Sequence, residues 1–245
     1  MENYIKKYET FDTQVVYDFK LGYGGIGDYI KFFMFILEDC IKNNVRLYFK
    51  KNNIVIENYI KLKYDMYINE CMIDKLNVKI VDPMMYYSTI NYNYSININE
   101  VFYFTDEIKM NSRYLFPQDT PYISIHLRLG DKYLETDKNY INVKNDTRDF
   151  SQQKIDDFIE TNHNKNIFFC CDNNTYKLNL KQKYNNIIIT NCNIGHTSLS
   201  NTTLTQTLDA ITEFYILTQS EMIFAASTSG FSIVASKFNN IPLIN

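Results

Sequence analysis

Four short apolar runs limit what this chain can fold into more than any other feature. They are YISIHL (122–127), NIFFCC (166–171), NIIIT (186–190) and MIFAA (222–226), and each gives way to polar residues or glycine. Between and after them lie segments with apolar residues at helical spacing. Ile155, Phe158 and Ile159 share a face in 150–162, and Leu204, Leu208, Ile211 and Tyr215 share one in 204–220. A further helix is expected over 229–239, and IPLIN reads as a last short strand. Strands this apolar are buried on both faces, and strands separated by helices pair in parallel. The second half of the chain therefore reads as an α/β parallel sheet.

The first half opens with the same pattern. Residues 13–21 read as a strand, GYGGIG (22–27) as a loop, and 28–43 as a helix with Ile30, Phe33, Met34, Leu37 and Ile41 in register. A strand over 45–51 completes a βαβ unit with glycines at its strand-to-helix turn. NIVIENYI, YDMYINECMI and VKIVDPMMYY each have strand character, although Asn and Tyr blur the period. Pro117 and Pro121 bracket FPQDTP, which reads as a linker. The expectation is two units, 1–118 and 119–245.

Composition narrows the function classes. The 245 residues are 45% apolar, enough for a sizeable core. A net charge of −3 without a Lys/Arg run argues against a nucleic-acid partner. The opening MENYIKKYETFDTQ lacks an apolar leader core, and no run approaches the roughly 18 apolar residues of a membrane span. Five cysteines, two of them adjacent in an apolar strand, suit reduced thiols better than disulfides. A cytoplasmic protein without a transmembrane segment is expected.

Unusual residues collect at the strand ends. Six of the seven glycines, Gly22, Gly24, Gly25, Gly27, Gly130 and Gly230, lie at three such ends or just beyond them. In a chain so sparing of glycine, this placement points to backbone approached closely by a ligand, beyond the carboxyl ends of a parallel sheet. His126, Arg128 and Asp131 close the run at 122, Asp172 closes FFCCD, and Ser227, Thr228 and Ser229 close IFAA. Arg128 is either a salt-bridge anchor or a charged fork for phosphate oxygens. His126 is a core histidine, a phosphate contact or a partner that orients that fork. Asp131 and Asp172 fit turns or a site. The serines fit an N-cap or, with helix amides, an anion cradle. Gly22, Gly24 and Gly27 also match G-x-G-x-x-G, the dinucleotide pattern of an NAD(P)-dependent oxidoreductase. The acidic residue which that pattern expects after the second strand is replaced by Lys50 and Lys51, and the helix starts with Asp28.

Three motifs together resemble the inverting GT-B fucosyltransferases, the α1,2-, α1,6- and protein O-fucosyltransferase superfamily. They are GGIGDYIKFF (24–33), HLRLGDKY (126–133) and LDAITEFYILTQSEMIFAASTSGFSIVASKF (208–238), with FFCCDN (168–173) before the last. The resemblance implies two Rossmann-like domains facing a cleft. It implies a nucleotide-sugar donor, GDP-fucose or a related one, and a glycan acceptor. Arg128 would bind the β-phosphate with His126 in support. Asp172 would contact the guanine or ribose region. Ser227, Thr228 and Ser229 would hold the diphosphate, with Gly24, Gly25 and Gly27 opposite. No Asp-x-Asp pair stands at a strand end, so neither a metal nor a resident cofactor is expected. Asp131, Glu135 and Asp28 are candidates for the general base, Asp131 foremost.

Overall fold

The computed structural model describes residues 1–76, 78–117, 119–135, 147–192 and 194–245. Strand β1 (Gln14–Tyr17) leads through a glycine loop into the helix Ile26–Asn43 and back to β2 (Arg46–Lys50). The helix begins two residues before the expected start. Asp28 explains this, because its carboxylate turns back to accept a hydrogen bond from the Gly25 amide at 3.3 Å, the half of a capping box that a glycine N-cap allows. Asn44 ends the helix in the left-handed conformation, at φ 53°.

The stretch that blurred in sequence holds four very short strands: β3 (Ile60–Leu62), β4 (Tyr67–Ile68), β5 (Lys79–Val81) and β6 (Phe102–Phe104). VKIVDPMMYY stops being a strand at Val81. Asp82 caps Met84, and the residues Pro83–Tyr86 form a 3-10 turn. The first sheet runs β4-β2-β1-β5, all parallel, while β3 and β6 form a separate antiparallel ribbon.

The second sheet holds β7 (Tyr122–Leu127), β8 (Asn166–Cys171), β9 (Ile187–Ile188), β10 (Ile223–Ala225) and β11 (Leu243–Ile244). Its order is β11-β10-β7-β8-β9, again parallel. The chain is thus an α/β protein with two parallel sheets, as the sequence pattern predicts. The expected division falls at Gln118, outside the described residues.

Alternation along β8 sends side chains to two cores. Phe168 and Cys170 join a large cluster that also holds Tyr17, Phe33 and Phe49 from around the first sheet. Ile167, Phe169 and Cys171 join a smaller cluster with Ile123, Ile125, Leu127 and Ile155. Among the described residues no helix is long and apolar enough to cross a membrane.

Strand order places the functional ends. In the second sheet the chain moves from β7 outward through β8 to β9, then returns to the other side of β7 as β10. In the first it moves from β1 to β2 and β4, then returns beside β1 as β5. β7 and β1 therefore flank the points where strand order reverses, and those are the crevices where parallel sheets bind ligands. β7 leads into Arg128, and β1 leads into the glycine loop.

Candidate functional site

The two crevices open into one cleft of about 570 Å³. One wall comes from the second sheet and includes His126, Arg128, Asp131, Asp172, Thr228, Ser229 and Gly230. The opposing wall comes from the first half and includes Gly24, Gly25, Gly27, Asp28, Lys31, Tyr87 and Tyr92. Of the residues singled out from sequence, Ser227, Gly130 and the candidate base Glu135 do not line this space.

Arg128 is held at four points. Its backbone amide donates to Ser227 Oγ at 2.8 Å, and Ser227 Oγ donates back to the Arg128 carbonyl at 2.9 Å. Ser227 is buried and serves as this brace. Nη1 of the guanidinium donates to Asp172 at 2.7 Å, and Nη2 donates to Asp131. Asp172 also accepts from the amides of Leu129 at 2.8 Å and Gly130 at 3.1 Å, so the turn after β7 wraps around one buried carboxylate. Gly130 makes that wrap possible with φ +111°, a conformation other residues rarely adopt. The guanidinium side chain keeps 14% exposure, toward the cleft.

His126 sits behind Arg128. Its ring stacks on Phe231 at 5.0 Å, and Phe231 meets Phe214 edge-on at 4.9 Å. Burial pulls its basicity down to about 3, and the Arg128 charge adds to the effect. The imidazole is therefore neutral at physiological pH. Its Nδ1 is buried with no hydrogen-bond partner among the described residues.

The helix Gly230–Phe238 points its amino end into the cleft, capped by Ser229, which accepts from Phe231 N at 3.2 Å. Exposed Thr228 and the amino end of that helix lie beside Arg128 in the cleft lining, an arrangement that suits an anion. The other helix start, at Ile26, differs because Asp28 already supplies a carboxylate there. A pyrophosphate at that turn would meet this acid. Glu57, the nearest acid after β2, accepts from the Asn52 and Asn53 amides. Both observations count against a dinucleotide at 22–27. Gly27 has a packing role: a Cβ there would lie 2.8 Å from the Gly230 carbonyl carbon, so the two helix starts touch backbone to backbone.

Two parts of the site escaped sequence reasoning. Lys31, buried, pairs with Asp28 at 2.5 Å and lies 4.8, 5.6 and 5.8 Å from the ring centres of Phe32, Tyr87 and Tyr92. The second is a buried ion pair under the other wall. Lys177, 0% exposed, donates to Glu213, 1% exposed, at 2.8 Å and to the Cys192 carbonyl at 3.2 Å. Glu213 also accepts from Thr190 and from Cys170 Sγ at 3.1 Å. Burial pulls the Lys177 ammonium down, but Glu213 outweighs it and the net shift is upward. Burial and Glu213 hold the Cys170 thiol protonated. The candidate base Glu135 lies elsewhere. It caps the helix Asn174–Lys183 by accepting from the Asn174 and Thr175 amides, both at 2.9 Å.

No protein-family model matches the chain, and no curated protein matches it in sequence. Its fold does match solved structures. An alpha-1,6-fucosyltransferase, NodZ, in a crystal soaked with GDP-fucose, aligns with TM-score 0.59 and 10% identity, covering 92% of both chains. POFUT1 in complex with GDP-fucose aligns with TM-score 0.56 and 9% identity, covering 95% of this chain and 97% of the other. A mutant of Arabidopsis thaliana FUT1 in complex with GDP aligns with TM-score 0.54 and 13% identity, covering 99% and 74%. The chain shares the fold of these fucosyltransferases.

Proposed function

We propose that this chain is a glycosyltransferase that moves fucose from GDP-fucose to a glycan hydroxyl, with inversion at C1 and without a metal or resident cofactor. One observation carries the reading. The arginine of the His-x-Arg-x-Gly-Asp motif stands at a strand-order reversal, aimed into the cleft, next to a helix amino end. That pairing suits a diphosphate. The fucosyltransferases of like fold with GDP or GDP-fucose bound support GDP-fucose as the donor. The reading takes the GT-B form, with 1–118 as the acceptor-side unit and 119–245 as the donor-side unit. The five free thiols suit a reducing, cytoplasmic setting.

The chemistry follows from the two walls. The acceptor oxygen forms a bond to C1 of fucose on the face opposite the diphosphate. The bond from C1 to the β-phosphate oxygen breaks, and its electron pair stays on GDP. Arg128 and the amides at Gly230 meet that growing charge in a site already organised for it. The β-phosphate takes the place of Asp131 on Nη2, while Asp172 keeps Nη1 in position. His126, neutral, adds no charge to the phosphate site and packs on Phe231 of the helix that starts there. The acceptor proton goes to a carboxylate on the other wall. Asp131 stands beside the diphosphate on the donor wall, so Asp28, on the facing wall, takes that role in this reading.

A thermal-shift series against GDP, UDP, dTDP, NAD and NADP, without added metal, tests the donor. A ligand bound only by the folded state raises the melting temperature with its affinity. GDP alone should give the shift. A shift with UDP or dTDP alone would keep a glycosyltransferase and remove fucose. A shift with NAD or NADP alone would return the glycine loop to a nicotinamide cofactor.

A further inference from the structure

We propose that the Tyr92 hydroxyl, carried by the first half of the chain, is a further ligand of the donor's diphosphate, and donates to the phosphate seated between Arg128 and the start of the helix Gly230–Phe238. The proposal rests on the reading of the cleft as a nucleotide-sugar site and adds a binding residue from the opposite wall.

Position, protonation and rigidity carry it. Tyr92 lines the cleft from the first half, yet its hydroxyl stands 3.2 Å from where a Cβ on Gly230 would be. A polar tip from one wall thus reaches the first residue of the other wall's helix. Gly230 leaves room for it, because a side chain there would press on the hydroxyl. Among the described residues that hydroxyl has no hydrogen-bond partner. Burial raises the Tyr92 phenol above its ordinary pKa, and the Lys31 ammonium opposes this only in part. The phenol therefore keeps its proton at neutral pH and can donate it to a hydrogen bond. The unpaired backbone groups at a helix start are donors too. Two sets of donors facing one gap are both satisfied by an oxyanion placed between them. The segment that carries Tyr92 is already fixed. Glu38, 6% exposed on the helix Ile26–Asn43, accepts from the Ser95 amide at 2.6 Å, the Ser95 hydroxyl at 2.8 Å and the Ile96 amide at 3.1 Å. The Tyr94 hydroxyl donates to the Lys31 carbonyl at 3.5 Å, and Lys31 Nζ lies 5.8 Å from the Tyr92 ring centre. A donor held in place before the ligand arrives has little freedom left to lose on binding. The phosphate is thereby gripped from both halves of the chain, by charge on one side and by a neutral O–H on the other.

Calorimetric titration of the full chain with GDP, guanosine and pyrophosphate, without added metal, tests this in the wild type and in Tyr92→Phe, which keeps the ring and removes one O–H. Affinity for GDP and for pyrophosphate should fall by about tenfold, as loss of a hydrogen bond to a charged group does. Affinity for guanosine should stay the same. The ratio of GDP to guanosine within each protein separates the lost contact from a general loss of folding. Unchanged affinity for GDP and pyrophosphate in Tyr92→Phe overturns the proposal. So does an equal loss for guanosine, which would put the hydroxyl on the nucleoside, and so does a wild-type chain that binds none of the three. A chain that binds pyrophosphate but not GDP, and loses it in Tyr92→Phe, upholds the contact and removes the GDP-sugar donor.

Discussion

The two walls of the cleft are built by opposite means. The wall carrying Arg128 is made of charge held by charge. Asp172 and Asp131 fix the guanidinium, Ser227 braces the Arg128 backbone, and the buried Lys177–Glu213 pair lies beneath. The facing wall is made of rings, with Tyr87, Tyr92 and Phe32 gathered around one neutralised lysine. The difference shows what each wall can recognise. A fixed ionic lattice suits a group with an unvarying charge pattern, and a diphosphate is such a group. A tyrosine surface suits a partner recognised by shape and hydroxyl placement.

Substitutions can break this contrast, and the largest effect is expected at Arg128. Arg128→Ala should abolish transfer and weaken GDP binding by about 2–4 kcal/mol, as loss of a charge-assisted contact does. Calorimetric titration with GDP reads it directly, and Arg128→Lys should restore only part, because an ammonium lacks the planar fork. An Arg128→Ala protein with normal GDP affinity would dissolve the donor wall. Next comes Lys177→Met, which leaves Glu213 buried without its cation. It should cost roughly 3–5 kcal/mol of stability in urea unfolding, whereas Tyr87→Ala on the ring-built wall should stay within about 0.5 kcal/mol. Equal losses would erase the distinction.

Asp28→Asn separates the walls by kinetics. It should lower kcat by about 100-fold through loss of the proton acceptor while leaving GDP affinity unchanged. Asp131→Asn should instead strengthen GDP binding, since it removes the carboxylate that the β-phosphate has to displace from Arg128. The reverse pattern would move the base back to Asp131. The most gradual effect is expected with pH. His126 ionises near 3 in the folded chain, because burial and Arg128 disfavour its charged form, against an ordinary value of 6.5. The unfolded chain therefore takes up a proton that the folded chain refuses. Its contribution to stability is intact above pH 6.5 and falls as pH drops toward 3, by up to about 1.4 kcal/mol per unit. His126→Phe should flatten that part of a melting-temperature profile. An unchanged slope would show that His126 titrates in the folded state.

The same contrast decides how much could be read from sequence. The Arg128 wall was legible because strand ends, glycines and a short motif are local signals. HLRLGD places its own arginine, glycine and aspartate within six residues, and Ser229 caps the helix it precedes. The helix Leu204–Leu217 was legible from its periodicity, reinforced by the Thr203–Gln206 capping box. The ring-built wall was not. Tyrosine serves as core at Tyr17 and Tyr29 and as surface at Tyr87, so its presence carries no period. Strands of two or three residues, such as β4 and β6, are too short to show one either. Lys177 and Glu213 escaped for another reason. They stand 36 residues apart, and their pairing exists only once two helices pack beneath β8. A lysine in NTYKLNLKQK looks like a solvated residue, and only tertiary structure makes it a buried one.

The meeting of Gly27 and Gly230 has a mechanical meaning. No side chain stands between them, so the separation of the two helix starts is set by main chain alone. The helices Ile26–Asn43 and Gly230–Phe238 also pack on each other, and one core cluster takes residues from around both sheets, so the contact works as a fixed stop. The width of the cleft between its two walls is thereby held by two residues that have no side chain to rearrange.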